Sequence, residues 1–216
     1  MSLMQMEQEL RGLLARQLES LFGLDKDDER RIALALPGAL HRTEWCFSHT
    51  KNKYYRENGT TVFSPFHSGQ YSIFLYYLSN QIFRDNSQQR CVSADKVYYL
   101  NKALNAFDLY YEVEMPQVFF LDHPVGSVLG RATYGEYFSL GQNCTVGNNK
   151  GIYPTIGKNV ALMAGATVVG RCAIGDNVII SAHSLVKDTD VPSNSIVFGT
   201  ASSLLIKSKP AEYFLR

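Results

Sequence analysis

Apolar residues follow a helical period near the start of the chain. Between Met6 and Phe22 the spacing predicts a helix with one apolar face, formed by Leu10, Leu13, Leu14, Leu18 and Leu21. A second, shorter helix is predicted from Asp25 to Leu36, because Pro37-Gly38 is a pair that ordinarily ends a helix.

The pattern continues as helices after an irregular interval. Residues 41–66 are aromatic and without clear periodicity, and Asn58-Gly59 within them predicts a turn. Tyr71 to Phe83 is apolar almost all round, which predicts a buried helix, and Ser93 to Phe107 predicts another. The first half of the chain is therefore expected to be mainly α-helical.

A different period begins at about Asp108. Large apolar residues then recur every six positions in two runs: Val128, Tyr134, Leu140 and Val146, then Ile156, Leu162, Val168, Ile174, Ile180 and Val186. A helix requires a period of 3.6 residues and a half-buried strand a period of 2. A period of six predicts three-sided coils of short strands and tight corners, with the large residues stacked inward.

The two periods predict an α+β chain with two domains. Residues 1–107 form an α-helical domain, and residues 108–216 form a left-handed parallel β-helix with a C-terminal tail. The six-residue phase slips once, because Val146 and Ile156 are ten residues apart and not twelve. Asn148 to Thr155 is therefore expected to bulge as a loop, and loops that interrupt a repeat often carry function.

Composition excludes several classes of partner. With 21 basic and 20 acidic residues and a net charge of +1, the chain has no electrostatic basis for binding nucleic acid or an anionic membrane. No apolar run approaches the roughly 18 residues of a membrane span, and Met1 to Leu24 lacks the apolar stretch of a signal peptide. The four cysteines have no metal-site spacing. We expect a cytoplasmic protein with no bound metal.

Two of the five histidines, His123 and His183, lie in the repeat region. His123 follows Asp122 and precedes Pro124-Val125-Gly126, which breaks the six-residue pattern. Asp108 lies fifteen residues earlier, close to one coil, and is predicted to approach His123 from the neighbouring coil. A carboxylate beside an imidazole is the arrangement of an oriented general base. His183 stands where the repeat places a turn residue, so a structural role is expected.

Residues Phe66 to Val186 resemble the serine acetyltransferases, a family of hexapeptide-repeat enzymes. The resemblance rests on Phe107-Asp108, Leu121-Asp122-His123, Thr145-Val146-Gly147, Leu162-Met163-Ala164-Gly165-Ala166 and Ile180-Ser181-Ala182. Many acyltransferases share the hexapeptides, whereas the fifteen-residue spacing from aspartate to histidine is more specific.

The resemblance implies acetyl-CoA as co-substrate and a small-molecule acceptor. It makes His123 the general base, Asp108 its carboxylate partner and Asp122 part of the acceptor pocket, and we expect Lys150 and Tyr153 to contact the acceptor as well. It places the groove for coenzyme A between subunits, lined by Gly147, Asn148, Ala164 and Ala182. It also implies a homotrimer, or two trimers paired through the helical domains.

The chain departs from the family pattern in the loop that receives the acceptor. The family's Arg-His-Pro reads Ile152-Tyr153-Pro154 here, and the loss of the arginine removes a bidentate clamp for a carboxylate. Lys150 replaces the charge but not the geometry. Tyr153, together with Tyr110 and Tyr111, is expected to form a pocket of rings that suits a neutral, polyhydroxylated acceptor better than serine.

Three functions stay open from the sequence. The first is an acetyltransferase acting on serine or another small amino acid or alcohol. The second is a sugar or nucleotide-sugar acetyltransferase of polysaccharide biosynthesis, and the third is an inactive β-helix that serves as an interaction protein. A zinc carbonic anhydrase on the same fold requires three converging histidines, and the repeat region has two.

Overall fold

The computed structural model describes residues 6–208 and divides the chain into two compact units. The first contains the residues up to Ala106 together with Tyr110–Glu112, and the second contains Phe107–Leu109 and the residues from Val113 onward. The predicted second domain extends to residue 216, of which 209–216 lie outside the described residues. Within 6–208, no helix has both the length and the apolar character required to cross a bilayer.

The helical unit contains α1 (Glu7–Phe22), α2 (Lys26–Ser48), α3 (Ser68–Asp85) and α4 (Val92–Asn105). Helix α1 buries Leu10, Leu14 and Leu18 of its predicted face, but the prediction is wrong for Leu21, which is half exposed at the end of the helix. Helix α3 is buried over most of its length, which confirms the prediction from its apolar character. A short hairpin of β1 (Arg56–Glu57) and β2 (Thr60–Thr61) turns at Asn58-Gly59, as expected.

The predicted end of the second helix at Pro37 is wrong, because α2 continues through Pro37-Gly38 to Ser48. The irregular stretch expected from residue 41 therefore begins only after Ser48. Proline removes one helical hydrogen bond and normally ends a helix. Here the four flanking side chains are completely buried: Ala35, Leu36, Ala39 and Leu40. A Cβ on Gly38 would lie 3.2 Å from the side chain of Gln81 in α3, so the close packing of two helices outweighs the lost bond.

A buried carboxylate joins the start of α2 to α4. The backbone N–H of Asp28 donates to Asp25 at 2.9 Å, and the Asp28 carboxylate accepts the Asp25 N–H at 3.2 Å, which is a reciprocal cap. The same carboxylate accepts from Ser93 Oγ and from Lys96 Nζ, both at 2.6 Å. Burial acts to raise the pKa of Asp28, but the hydrogen bonds from Lys96 and Ser93 outweigh it and hold that pKa below its usual value.

Substituting this carboxylate should lower stability in a pH-dependent way. We expect Asp28→Asn to reduce the free energy of unfolding by about 2–3 kcal/mol at pH 7, because it leaves the Lys96 ammonium without its charge partner. The folded pKa lies below the unfolded one, so this stabilisation is complete above about pH 4 and is lost as the pH falls through the folded pKa. Urea unfolding of the wild type and of Asp28→Asn at pH 7 and pH 3 measures this effect. A difference in the free energy of unfolding that does not shrink at pH 3 would contradict the stabilising role of the Asp28 carboxylate.

The second unit is a coil of short parallel strands with three faces. The first face contains β4 (Phe119–Leu121), β7 (Phe138–Leu140), β10 (Ala161–Leu162), β13 (Val178–Ile180) and β15 (Ser195–Phe198), and antiparallel β16 (Leu205–Ser208) closes it. The second face contains β3 (Asp108–Leu109), β5 (Val128–Leu129), β8 (Thr145–Gly147), β11 (Thr167–Val169) and β14 (Leu185–Lys187). The third face contains β6 (Thr133–Tyr134), β9 (Thr155–Ile156) and β12 (Ala173–Ile174).

The strand register stacks the predicted inward residues. The buried stacks are Leu140, Leu162 and Ile180 on the first face, Val146, Val168 and Val186 on the second, and Tyr134, Ile156 and Ile174 on the third. The predicted parallel β-helix is thus confirmed. One residue of the six-residue series is an exception, because Val128 is 41% exposed and Leu129 takes the inward place above Val146.

The corners use left-handed backbone, and a ladder of asparagines lines one of them. Asn159, Asn177 and Asn194 have φ values of 55°, 56° and 57° on successive coils. The Asn159 amide donates to Asn177 at 3.1 Å, and the Asn177 amide donates to Asn194 at 2.8 Å. Asparagine suits these positions because it tolerates left-handed backbone and can bond to the next coil.

Two substitutions should separate these two contributions at Asn177. Asn177→Gly keeps the left-handed backbone accessible but removes both ladder bonds, whereas Asn177→Ala also adds the backbone penalty of about 1–2 kcal/mol. We therefore expect the alanine variant to be the less stable of the two in urea unfolding. Equal stability of the two variants would show that the left-handed backbone contributes nothing at this corner.

Candidate active site

The corner between the first and second faces is extended in one coil. Asp122 N–H donates to the Leu140 carbonyl at 2.8 Å, which sets Asp122 level with Gly141 of the next coil. The chain then needs eight residues to go from Leu121 to Leu129, where the next coil needs six from Leu140 to Val146. His123 lies in this extension, with a left-handed φ of 51° and a side chain that is 82% exposed. Other corners of the coil share this left-handed backbone, as at Asn143 and His183, so the extension and the exposed side chain distinguish His123.

Within one chain, the acidic neighbour of His123 is Asp122. The two side chains approach to 3.7 Å between Nε2 and Oδ1, which is an ion-pair distance and not a hydrogen bond. Asp108 pairs with Val128, so the coil at this level is twenty residues long, and its N–H donates to the Ser127 carbonyl at 3.0 Å. Asp108 thus begins β3, which pairs with β5, the strand that follows the His123 corner. A contact between Asp108 and His123 stays a prediction.

A shallow groove of about 130 Å³ adjoins this corner. Asp122 is the one charged side chain among its described lining residues. The rest of the lining is uncharged: Ser139 and Gln142 are polar, and the other residues are small or apolar, such as Phe120, Gly141 and Ala164. A groove of this kind accepts a narrow, largely uncharged molecule beside the histidine.

Small residues stack at the same corner on the later coils. The His183 N–H donates to the Ala164 carbonyl at 3.0 Å, which sets Ala182 level with Ala164. Both alanines are at least partly open to solvent. His183 itself has a left-handed φ of 58°, and its ring occupies the space beside Gly165, where a Cβ would meet Nδ1 at 2.5 Å. This placement agrees with a turn residue and not with a second base.

The predicted bulge lies at the next corner, after β8. Thr145 pairs with Thr167, twenty-two residues on, whereas Thr167 pairs with Leu185, eighteen residues on, so four extra residues form the loop. Asn149 and Ile152 exchange two backbone hydrogen bonds of 3.0 Å each. Lys150 and Gly151 between them have φ values of 52° and 79°, which is the geometry of a tight two-residue hairpin. Lys150 is therefore at the tip of the loop.

The side chains of the loop present neutral polar groups. Asn148 accepts the Gly151 N–H at 3.2 Å, and its amide lies 3.5 Å from the Tyr153 hydroxyl. The Tyr153 ring covers Gly130 of the preceding coil, where a Cβ would lie 3.6 Å from the ring. Ile152, at the place of the family's arginine, is half exposed.

The structure thus gathers the predicted site residues into two groups. Asp122, His123, Ala164 and Ala182 lie at the first corner, and Gly147, Asn148, Lys150 and Tyr153 lie at the second. Strands of the second face separate the two groups within one chain. Neither group alone supplies a base, a groove and a contact for an acceptor.

Tyr111 does not join either group, contrary to the pocket of rings that the sequence suggested. It belongs to the helical unit and is completely buried. Its hydroxyl donates to Asp95 at 2.7 Å and accepts from Tyr110 at 3.0 Å. Burial raises its pKa well above the usual value. The ring can lie in the core because its hydroxyl is hydrogen-bonded there to Asp95 and Tyr110.

The cysteines of the coil are not candidates for a nucleophile. Cys144 and Cys172 are buried at corner positions, and burial raises the pKa of both thiols. Among residues 6–208, no group of three or more histidine, cysteine, aspartate or glutamate side chains is arranged to hold a metal ion. Among the groups that the first corner does offer are the His123 imidazole and the neighbouring Asp122 carboxylate.

Comparison with known proteins agrees with this geometry. Residues 153–188 match the family described as bacterial transferase hexapeptide (six repeats). Over 115 residues the chain is 34% identical to the serine acetyltransferase of Synechococcus elongatus, covering 51% of this chain and 47% of that protein. The chain is thus similar to the serine acetyltransferases, and residues 153–188 carry the hexapeptide repeat.

Further comparisons find similar relatives and the same fold. The serine acetyltransferase of Staphylococcus aureus is 28% identical over 138 residues, covering 62% of this chain and 63% of that protein. The chain thus spans less than two thirds of either relative. The solved serine acetyltransferases of Brucella abortus and Neisseria gonorrhoeae share the fold, with TM-scores of 0.67 and 0.68 at 21% and 22% identity. They cover 86% and 94% of this chain, which covers 76% and 81% of theirs.

Proposed function

We propose that this protein is an acetyl-CoA-dependent acetyltransferase that moves an acetyl group to a hydroxyl or amine of a small acceptor. The observation that carries the proposal is the exposed, left-handed His123 on an extended corner, beside Asp122 and a narrow groove. The similarity to serine acetyltransferases supports the same chemistry and makes serine the first acceptor to test.

In the proposed reaction, His123 takes the proton from the acceptor's hydroxyl as that oxygen attacks the thioester carbonyl. The carbon–sulfur bond then breaks, and the imidazolium returns the proton to the departing thiolate of coenzyme A. A carboxylate beside the ring fixes its orientation and stabilises the imidazolium. We assign that role to Asp108, as the family resemblance implies, and place Asp122 at the mouth of the acceptor groove.

The separation of the two groups of site residues supports a shared active site. On a single chain the His123 side chain is open to water, and acyl transfer requires that water be excluded. We propose that a neighbouring copy sets its second corner, with Gly147 and Asn148, against the first corner with Ala164 and Ala182. The small side chains would leave a slot for the thin pantetheine arm of acetyl-CoA. This arrangement is a homotrimer, which can pair with a second trimer, and we place it in the cytoplasm, where acetyl-CoA is available.

The base assignment predicts a large loss of turnover in one variant. We expect His123→Ala to lower kcat by about 10²-fold or more, and Asp108→Asn to lower it less, because the base remains but is less well oriented. His183→Asn is the matched control, since asparagine accepts left-handed backbone, and it should retain turnover. Thiol release from acetyl-CoA measures all three, and near-wild-type turnover of His123→Ala would contradict the assignment.

The charges at the site favour a neutral acceptor over a free amino acid. The described lining of the groove offers one charge, the negative Asp122, and the loop offers one cation, Lys150, at its tip. A carboxylate brought into a partly dry site costs several kcal/mol if it is not paired. This observation supports a sugar or another polyhydroxylated molecule as a second candidate acceptor.

A panel of acceptors decides between the two candidates. We expect serine to have a lower kcat/KM than serinamide and than neutral sugars, since neither of these brings a carboxylate. The measurement is thiol release with each acceptor, in wild type and in Lys150→Ala. Efficient acetylation of serine that is lost in Lys150→Ala would overturn this expectation and establish Lys150 as the carboxylate contact. If acetyl-CoA does not bind in calorimetry, the chain is instead an inactive interaction protein.

A further inference from the structure

The loop Asn148–Tyr153 is held by the coil that follows it, through one exposed carboxylate. Asp188 Oδ2 accepts a short hydrogen bond of 2.5 Å from the Asn149 side-chain amide, and Asp188 Oδ1 accepts from the Arg171 backbone N–H at 2.9 Å. The Asp188 N–H in turn donates to the Val169 carbonyl at 3.1 Å. One side chain therefore ties the loop to two coils.

A glycine provides the space for this contact. Gly170 has a φ of 83°, and a Cβ there would lie 2.1 Å from Asp188 Oδ1 and 2.8 Å from Asn149 Cβ. Its N–H donates to the Gly147 carbonyl at 3.1 Å, at the entrance to the loop. Any larger residue at this position would push Asn149 and Asp188 apart. The glycine, the amide and the carboxylate form one stack across three successive coils.

Another corner shows the same capping without a loop. Asp176 Oδ1 accepts the Lys158 N–H at 2.7 Å, as Asp188 does with Arg171, but no hairpin rises at that corner. The additional partner of Asp188 is therefore specific to the loop. The hydrogen bonds from the Arg171 N–H and from Asn149 lower the pKa of Asp188, so both bonds involve an ionised acceptor, which strengthens them.

We propose that Asp188 is a positioning residue, which holds the loop so that the Tyr153 hydroxyl keeps the arrangement that the acceptor binds. The assignment of the loop to the acceptor rests on the proposed function. The hairpin is held from the other side by the Tyr153 ring on Gly130, so the Asp188 contact completes its immobilisation. A preordered loop binds its ligand without a further entropic cost. Losing the contact should thus weaken acceptor binding while the base, at the other corner, stays intact.

The test combines hydrogen exchange with steady-state kinetics on the full-length protein. In Asn149→Ala and Asp188→Ala, we expect the amide hydrogens of Asn149 and Ile152, which close the hairpin, to exchange about tenfold faster. The acceptor KM should rise by about five- to tenfold, with kcat changed less than about twofold. Asp188→Asn keeps an oxygen acceptor and the left-handed backbone, and should restore both values. The control Asp176→Ala removes an equivalent cap and should change neither.

Each outcome decides a separate part of the proposal. Unchanged exchange in Asn149→Ala, whose backbone is not strained, overturns the clamp whatever the activity. Faster exchange with an unchanged acceptor KM overturns the assignment of the loop to the acceptor. Asp188-dependent exchange in a protein that transfers no acetyl group supports the clamp and overturns the proposed function, so the two failures are distinguishable.

Discussion

The structure of the second unit depends on the stacking of large aliphatic residues from successive coils, because a single coil cannot bury them alone. Each face stacks a large inward residue on successive coils, which its equivalents above and below help to bury, as Leu140 and Ile180 do for Leu162. The faces are two to four residues wide, so the strands have little freedom to shift. A shift of one residue would turn an aliphatic side chain outward. The register is therefore strongly determined, and deviations from it are confined to the corners.

The corners absorb the residues that do not fit the six-residue period. The His123 extension and the Asn148–Tyr153 loop both leave the strand register of the following faces intact. Each is accommodated by local polar contacts with a neighbouring coil, such as Asp188 with Asn149. Extra residues are thus added to the repeat at positions where they disturb no strand pairing. The coil holds His123 and the loop at fixed corners.

The proposed base, His123, and the loop lie at different corners, which has a chemical consequence for the proposed reaction. In the proposed reaction, His123 works beside the acceptor only if a second surface covers it, and the second corner offers the neutral hydroxyl of Tyr153. The half-exposed Ile152 adds apolar surface and no charge. Recognition at such a site depends on shape and on hydrogen bonds to hydroxyl groups. In our proposal it also depends on how rigidly Asp188, which lies outside the groove, holds the loop.

The sequence by itself determined the repeat, the bulge after Val146 and the candidate base, because an inward stack and a break in its period are both visible as residue spacing. It did not determine the path of α2. Pro37 is a local signal that ends a helix, whereas the packing of Ala39 and Leu40 that overrides it is a property of the tertiary structure. The sequence places Tyr111 in a pocket for the same reason. The residue type is evident from the sequence, but the burial of the ring is not. Asp188 carried no signal at all: its partner lies thirty-nine residues away, and only the stacking of coils brings the two together.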